Sequence, residues 1–86
     1  MDLEGWRARI DALNEKLVDL LNERARCALS IVDLKKKMGL PVHDPKREGE
    51  VLEKVVRHNE GPLSGEALRR IFTGIMDEHR KLEDAI

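Results

Sequence analysis

The residues able to do chemistry in this chain are mostly charged, and several stand where a helical protein would keep its core. Arg24 interrupts an apolar series that runs from Leu3 to Met38. Lys35 follows three helical turns later, about 16 Å further along the same side. Arg47 and Glu48 lie one turn before Val51 and Leu52, so they prolong an apolar face. His79 and Glu83 continue the face begun by Phe72, Ile75 and Met76. Taken singly, each has an ordinary explanation: a snorkelling or salt-bridged arginine, an exposed first turn, a satisfied core histidine. Taken together, they put polar groups on the inward faces of three segments, with cations in excess. The chemistry that suits such a set is an enclosed pocket for a small dianion, its acids gripped by arginine forks.

Other chemistries find less support. His43, His58 and His79 lack the spacing of metal ligands, and no paired Cys accompanies them. No glycine-rich phosphate loop is present, and neither Ser30 nor Ser64 has a base nearby in sequence. No metal site is therefore expected. Cys27, the one cysteine, excludes an intrachain disulfide and reads as a small core residue of the apolar series. The 16 Lys and Arg against 17 Asp and Glu give a net charge of -1, which argues against nucleic acid as a partner. No apolar run reaches the ~18 residues of a membrane span. The acidic start, Met1-Asp2-Leu3-Glu4, lacks the basic and apolar regions of a signal peptide, so a soluble cytoplasmic protein is expected.

The elements that must position these groups are helical. Aromatic residues are only 2% of the 86, too few for a typical β-sandwich or barrel. Glycine and proline gather in two breaker clusters, Gly39-Leu40-Pro41 with Asp44-Pro45, and Gly61-Pro62 with Ser64-Gly65. They divide the chain into three helices at roughly 3–38, 45–58 and 65–85, within a single domain spanning 1–86. Leu3, Trp6, Ile10, Leu13, Leu17 and Leu20 are spaced 3, 4, 3, 4 and 3 residues apart, and the series continues through Arg24, Cys27, Ile31, Leu34 and Met38. That is the pattern of a long helix packed on other helices. Asp44-Pro45 offers a capping acid and a first-turn proline for the second helix, whose face is Val51, Leu52, Val55 and Val56. Ser64 caps the third, whose face is Leu68, Ile71, Phe72, Ile75, Met76 and Leu82.

The first helix is a rod of ~52 Å, whereas a compact chain of this length has a radius of gyration near ~12 Å. The rod must protrude, and its stripe needs a cover. A second copy related by two-fold symmetry is the simplest one; a coiled coil with a different protein is the alternative. Arg7 lies ~25 Å from Arg24 along the rod. In an antiparallel homodimer, Arg7 of one copy can approach Arg24 of the other.

The ordered set of motifs resembles the all-helical chorismate mutases over essentially the whole chain. Trp6 to Leu17, followed by Leu20-Leu21-Asn22-Glu23-Arg24, is similar to the opening signature of that family. Lys35 sits where the family has its lysine, Asp44-Pro45-Lys46-Arg47-Glu48 resembles its D-x-x-R-E motif, and the stretch from Arg70 to Glu83 is similar to its third helix. The resemblance implies an intertwined dimer of three-helix chains with two shared active sites. It implies rearrangement of chorismate to prephenate on the route to Phe and Tyr, without cofactor or covalent intermediate. Arg7 of one chain, with Arg24, Lys35 and Arg47 of the other, would bind the two carboxylates and polarise the ether. Glu48 would accept a hydrogen bond from the ring hydroxyl, and Asp44 would shape the pocket at the start of the second helix. Two positions depart from the commonest pattern: Glu83 replaces a glutamine, and His79 a small polar residue. A carboxylate cannot donate to the ether oxygen, so Glu83 must be protonated to serve there, while His79 would reach the ring carboxylate or pack. The alternatives are an isochorismate-pyruvate lyase of the same fold and a non-catalytic dimerisation or regulatory module. A partner enzyme of the same pathway is compatible with either catalytic reading. The short chain leaves no room for a regulatory domain, so intrinsic feedback control is not expected.

Overall fold

The computed structural model describes every residue from Met1 to Ile86. It contains three helices and no strand: α1 over Leu3–Met38, α2 over Pro45–His58 and α3 over Gly65–Asp84. The expected boundaries agree to within one residue. Each start has a side-chain cap that satisfies an otherwise unpaired N–H. Asp2 accepts from the Gly5 amide at 2.8 Å, Asp44 from Arg47 at 3.1 Å and Ser64 from Ala67 at 3.0 Å. α1 ends at Gly39, whose φ of 70° is the left-handed conformation that lets the chain turn off the helix. The Leu40 amide then returns to the Lys35 carbonyl at 2.8 Å. Glu4 in the first turn of α1 and Lys35, Lys36 and Lys37 in its last turn suit the helix dipole.

α3 is the hub. It packs against both α1 and α2, while the backbones of α1 and α2 stay apart. A cleft is left between those two helices with α3 beside it. The molecule is elongated, 55 × 25 × 16 Å, with a radius of gyration of 15.9 Å. The long axis is the length of α1. No helix is long and apolar enough to cross a membrane.

Very little is buried within one chain. Val32, at 3% exposure, and His79, at 9%, are the only buried residues. Val51, Leu52, Val55 and Val56 of α2 and Leu68, Phe72, Ile75 and Met76 of α3 are half-buried. Leu3, Trp6, Ile10, Leu13, Leu17 and Leu20, the first half of the α1 stripe, are all exposed.

Three expectations need correction. Cys27 is exposed and does not belong to the core of the chain. The stripe members after it, Ile31, Leu34 and Met38, are exposed as well. The rest of the chain instead covers Ala25, Ala28, Leu29 and Val32. A heptad stripe drifts by ~20° per repeat around a straight helix, so towards its end α1 presents two apolar faces, one used by its own chain and one left open. Likewise Ile71 and Leu82 of α3 are exposed at 47% and 43%, on the flank of the face that packs internally.

The capping of α3 gives a simple test of how this hub is held. Ser64→Ala should cost about 1 kcal/mol, read as a lower urea midpoint. An unchanged midpoint would show that the cap does not contribute.

Candidate active site

The cleft between α1 and α2 holds a cavity of about 270 Å³. α1 contributes Arg24, Ala28, Val32 and Lys35 to its wall; the following loop contributes Val42, His43 and Asp44; α2 contributes Arg47, Glu48 and Val51; α3 contributes Met76, His79, Arg80 and Glu83. Cys27 and Ile31 stand at the same wall. Helical spacing explains the set. Positions 24, 28, 31 and 35 recur on one side of α1, and 76, 79, 80 and 83 on one side of α3. Asp44 brings the first turn of α2 to the cavity by capping it, so Arg47 and Glu48 enter together.

Seven of the eight residues singled out in the sequence line this one cavity: Arg24, Lys35, Asp44, Arg47, Glu48, His79 and Glu83. The eighth, Arg7, is elsewhere. It lies on the uncovered first turns of α1 and pairs with Glu4 at 3.1 Å.

The partners of these side chains decide the electrostatics. Arg24 Nη1 lies 2.8 Å from His79 Nδ1. A guanidinium only donates, so Nδ1 must be the acceptor and the ring proton must sit on Nε2. His79 is therefore neutral. Its pKa is lowered from the ordinary 6.5, first by burial and then by the Arg24 charge; Glu83 and a hydrogen bond with the Leu21 backbone oppose the shift. Lys35 Nζ donates to the Val42 carbonyl at 3.2 Å, tying the end of α1 to the loop before α2. Both cations are thus anchored by neutral acceptors, and neither forms an ion pair within the chain. Arg47 has only a loose contact with Glu50, 3.7 Å across an exposed turn.

Glu48 is held differently. Its carboxylate is paired with Arg80 of α3, and this pairing keeps the Arg80 guanidinium more firmly protonated than usual. The sequence reading did not single out Arg80, although the signal existed: it lies four residues after Met76 and three before Glu83, on the same face. His43 also borders the cavity and sits 3.6 Å from Asp84.

The arrangement can bind and polarise. Arg24, Lys35 and Arg47 offer positive charge that no carboxylate of the cavity cancels. Glu48 can accept a hydrogen bond alongside its ion pair. Ser30, the nearest hydroxyl on α1, donates to the Arg26 carbonyl within its own helix. No group of three His, Cys, Asp or Glu side chains is placed to hold a metal ion.

The sequence profile of the family described as chorismate mutase type II matches residues 6–84. The chain is 39% identical to the bifunctional chorismate mutase/prephenate dehydratase of Aquifex aeolicus over 99% of its own length and 25% of that protein. It is 40% identical to the Pseudomonas aeruginosa protein of the same description, over 98% of this chain and 24% of that one. It thus spans about a quarter of the length of these bifunctional relatives. Among solved structures, chorismate mutase from Thermus thermophilus superposes with a TM-score of 0.92 at 35% identity, covering 95% of this chain and 93% of that one. Chorismate mutase from Helicobacter pylori, in complex with prephenate, gives 0.87 at 37% identity, covering 96% and 90%. The chain belongs to the chorismate mutase type II family.

Proposed function

We propose that this chain rearranges chorismate to prephenate, and that it does so as a homodimer with two shared sites. The observation that carries the reading is the pair Arg24 and Lys35, two half-buried cations anchored only by neutral acceptors at 2.8 and 3.2 Å. Cations left uncompensated beside a cavity are costly unless an anion joins them. A dianion of one small metabolite meets that need.

The reaction is a pericyclic rearrangement, in which a C–O bond breaks as a C–C bond forms. It needs no external acid, base or nucleophile. It needs the flexible substrate folded into its reactive conformer, which a cavity clamping both carboxylates provides. Negative charge grows on the ether oxygen as the C–O bond stretches, and a fixed cation aimed at it stabilises the transition state more than the ground state. Lys35 and Arg24 take that role. Arg47 holds a carboxylate from the first turn of α2, and Glu48 accepts from the ring hydroxyl while Arg80 steadies it. Glu83 stands on the α3 side of the same cavity, where a hydrogen-bond donor would face the ether oxygen. Asp44 keeps the start of α2 in place.

One chain leaves the cavity without Arg7. The exposed stripe from Leu3 to Leu20 asks for a second copy, and an antiparallel pairing of the long helices carries the Arg7 of each copy towards the cavity of the other. The reading also covers location and context: a cytoplasmic enzyme, acting beside or joined to an enzyme that consumes prephenate, as the bifunctional relatives suggest by their names.

Purified protein should deplete chorismate, followed by its absorbance, with prephenate as the product. No depletion would overturn the assignment. Arg24→Ala and Lys35→Ala should each lower kcat/KM by about 10²-fold or more, the scale for losing one oxyanion donor; near-normal activity in either would make that residue structural. Glu83→Gln should keep activity because an amide always donates, whereas Glu83→Ala should lose most of it; equal activity in the two would place residue 83 outside the reaction. Arg7→Ala and Arg24→Ala dimers, each inactive, should recover about a quarter of wild-type activity after subunit exchange, since half the dimers then carry one intact site. No recovery would refute sharing.

A further inference from the structure

His79 is the only polar residue buried in the chain, and the rearrangement gives it no direct task. Nδ1 accepts from Arg24, 55 positions away in sequence, at 2.8 Å. The imidazole thus bridges α3 to α1 directly beneath the cation that faces the cavity. An arginine side chain has roughly 2 kcal/mol of rotamer entropy. Fixing one nitrogen of its fork leaves the remaining donors aimed in one direction.

The choice of acceptor matters. A carboxylate at this position would fix Arg24 equally well but would cancel its charge. A neutral imidazole holds the guanidinium and leaves its charge for a ligand. We propose that His79 is a positioning residue, which aims the Arg24 guanidinium into the cavity through the Nδ1 hydrogen bond and does so only while its ring is neutral. The inference rests on the mutase reading of the site.

Protonation removes the acceptor and sets two cations against each other. The charged and titratable groups that share its cavity are Arg24 and Lys35 from α1, His43 and Asp44 from the following loop, Arg47 and Glu48 from α2, and Arg80 and Glu83 from α3 itself. Burial and Arg24 keep the ring neutral, and Glu83 works against them. Acidification below the ordinary imidazole range therefore switches the bridge off. Changing residue 79 alone isolates this effect from every other group of the cavity.

The experiment compares wild type with His79→Ala and His79→Asn, the latter placing an amide oxygen near the Nδ1 position without a titrating group. His79→Ala should lower kcat/KM by about tenfold or more, the scale of a hydrogen bond to a charged group. His79→Asn should recover most of that loss at neutral pH. The ratio of wild-type to His79→Asn activity should fall as the pH is lowered below the ordinary imidazole range, because all other groups are common to both. Activity of His79→Ala within twofold of wild type, an Asn variant as poor as Ala, or a flat ratio would each overturn the proposal. Nitrogen NMR of the imidazole reads the bridge without turnover. The Nε2–H tautomer at neutral pH, with a pKa below 6.5, supports it; an Nδ1–H tautomer refutes it. Wild-type protein that lacks mutase activity but shows the Nε2–H tautomer would refute the functional reading and with it the catalytic role of the bridge, while leaving the hydrogen bond itself established.

Discussion

The long helix cannot be covered by the chain that makes it, and the other features of the molecule follow from that shortfall. α1 has 36 residues, against 14 in α2 and 20 in α3. Those two shorter helices gather at the C-terminal half of α1 and leave the stripe from Leu3 to Leu20 bare. The accessible surface is 6952 Å² for 9.9 kDa, where a compact monomer of that mass exposes about 5,200 Å². The excess, roughly 1,700 Å² per chain, counted over two chains falls within the range of obligate dimer interfaces. The same geometry explains why Arg7 is remote from the cavity in its own chain. Arg7, on the bare half of α1, lies outside the cavity of its own chain.

The cavity is a second consequence. Because α1 and α2 are both held by α3 and not by each other, the space between them stays open. Its wall is charged where a core would be apolar, and that choice lowers the stability of the single chain. Arg24 and Lys35 are tolerated because a histidine and a carbonyl satisfy their hydrogen bonds without neutralising them. Glu48 is tolerated because Arg80 neutralises it. The site is thus divided into cations kept available and an acid kept in place. That division suits a reaction that requires a fixed electrostatic field and a folded substrate, with no group that must gain or lose a proton during the step.

Much of this was legible in the residue order. Caps and breakers are local signals, so Asp44-Pro45, Ser64 and Gly39 marked the helix ends to within one residue. Polar residues on apolar faces are also visible without coordinates, and six such positions share the cavity with the capping Asp44. What the order could not reveal depends on angles between helices. A 3.5-residue stripe on α1 looks like one face, yet in space it separates from the Ala25–Val32 side that its own chain covers, so Cys27, Ile31 and Leu34 read as core and are exposed. Ile71 and Leu82 were misread on α3 for the same reason. The pairing of Arg24 with His79 and of Glu48 with Arg80 depends on which helices meet, and α3 meets both. Arg80 could have been found from its spacing to Met76 and Glu83; an arginine beside a lysine near a chain end invites a solvated reading instead.

The proposed second copy completes both the fold and the site. Dilution tests it directly, with sedimentation, helical circular dichroism and specific activity followed on the same samples. A dimer is expected at micromolar concentration, with loss of helix and activity together wherever it dissociates. A folded monomer that retains full specific activity would contradict it.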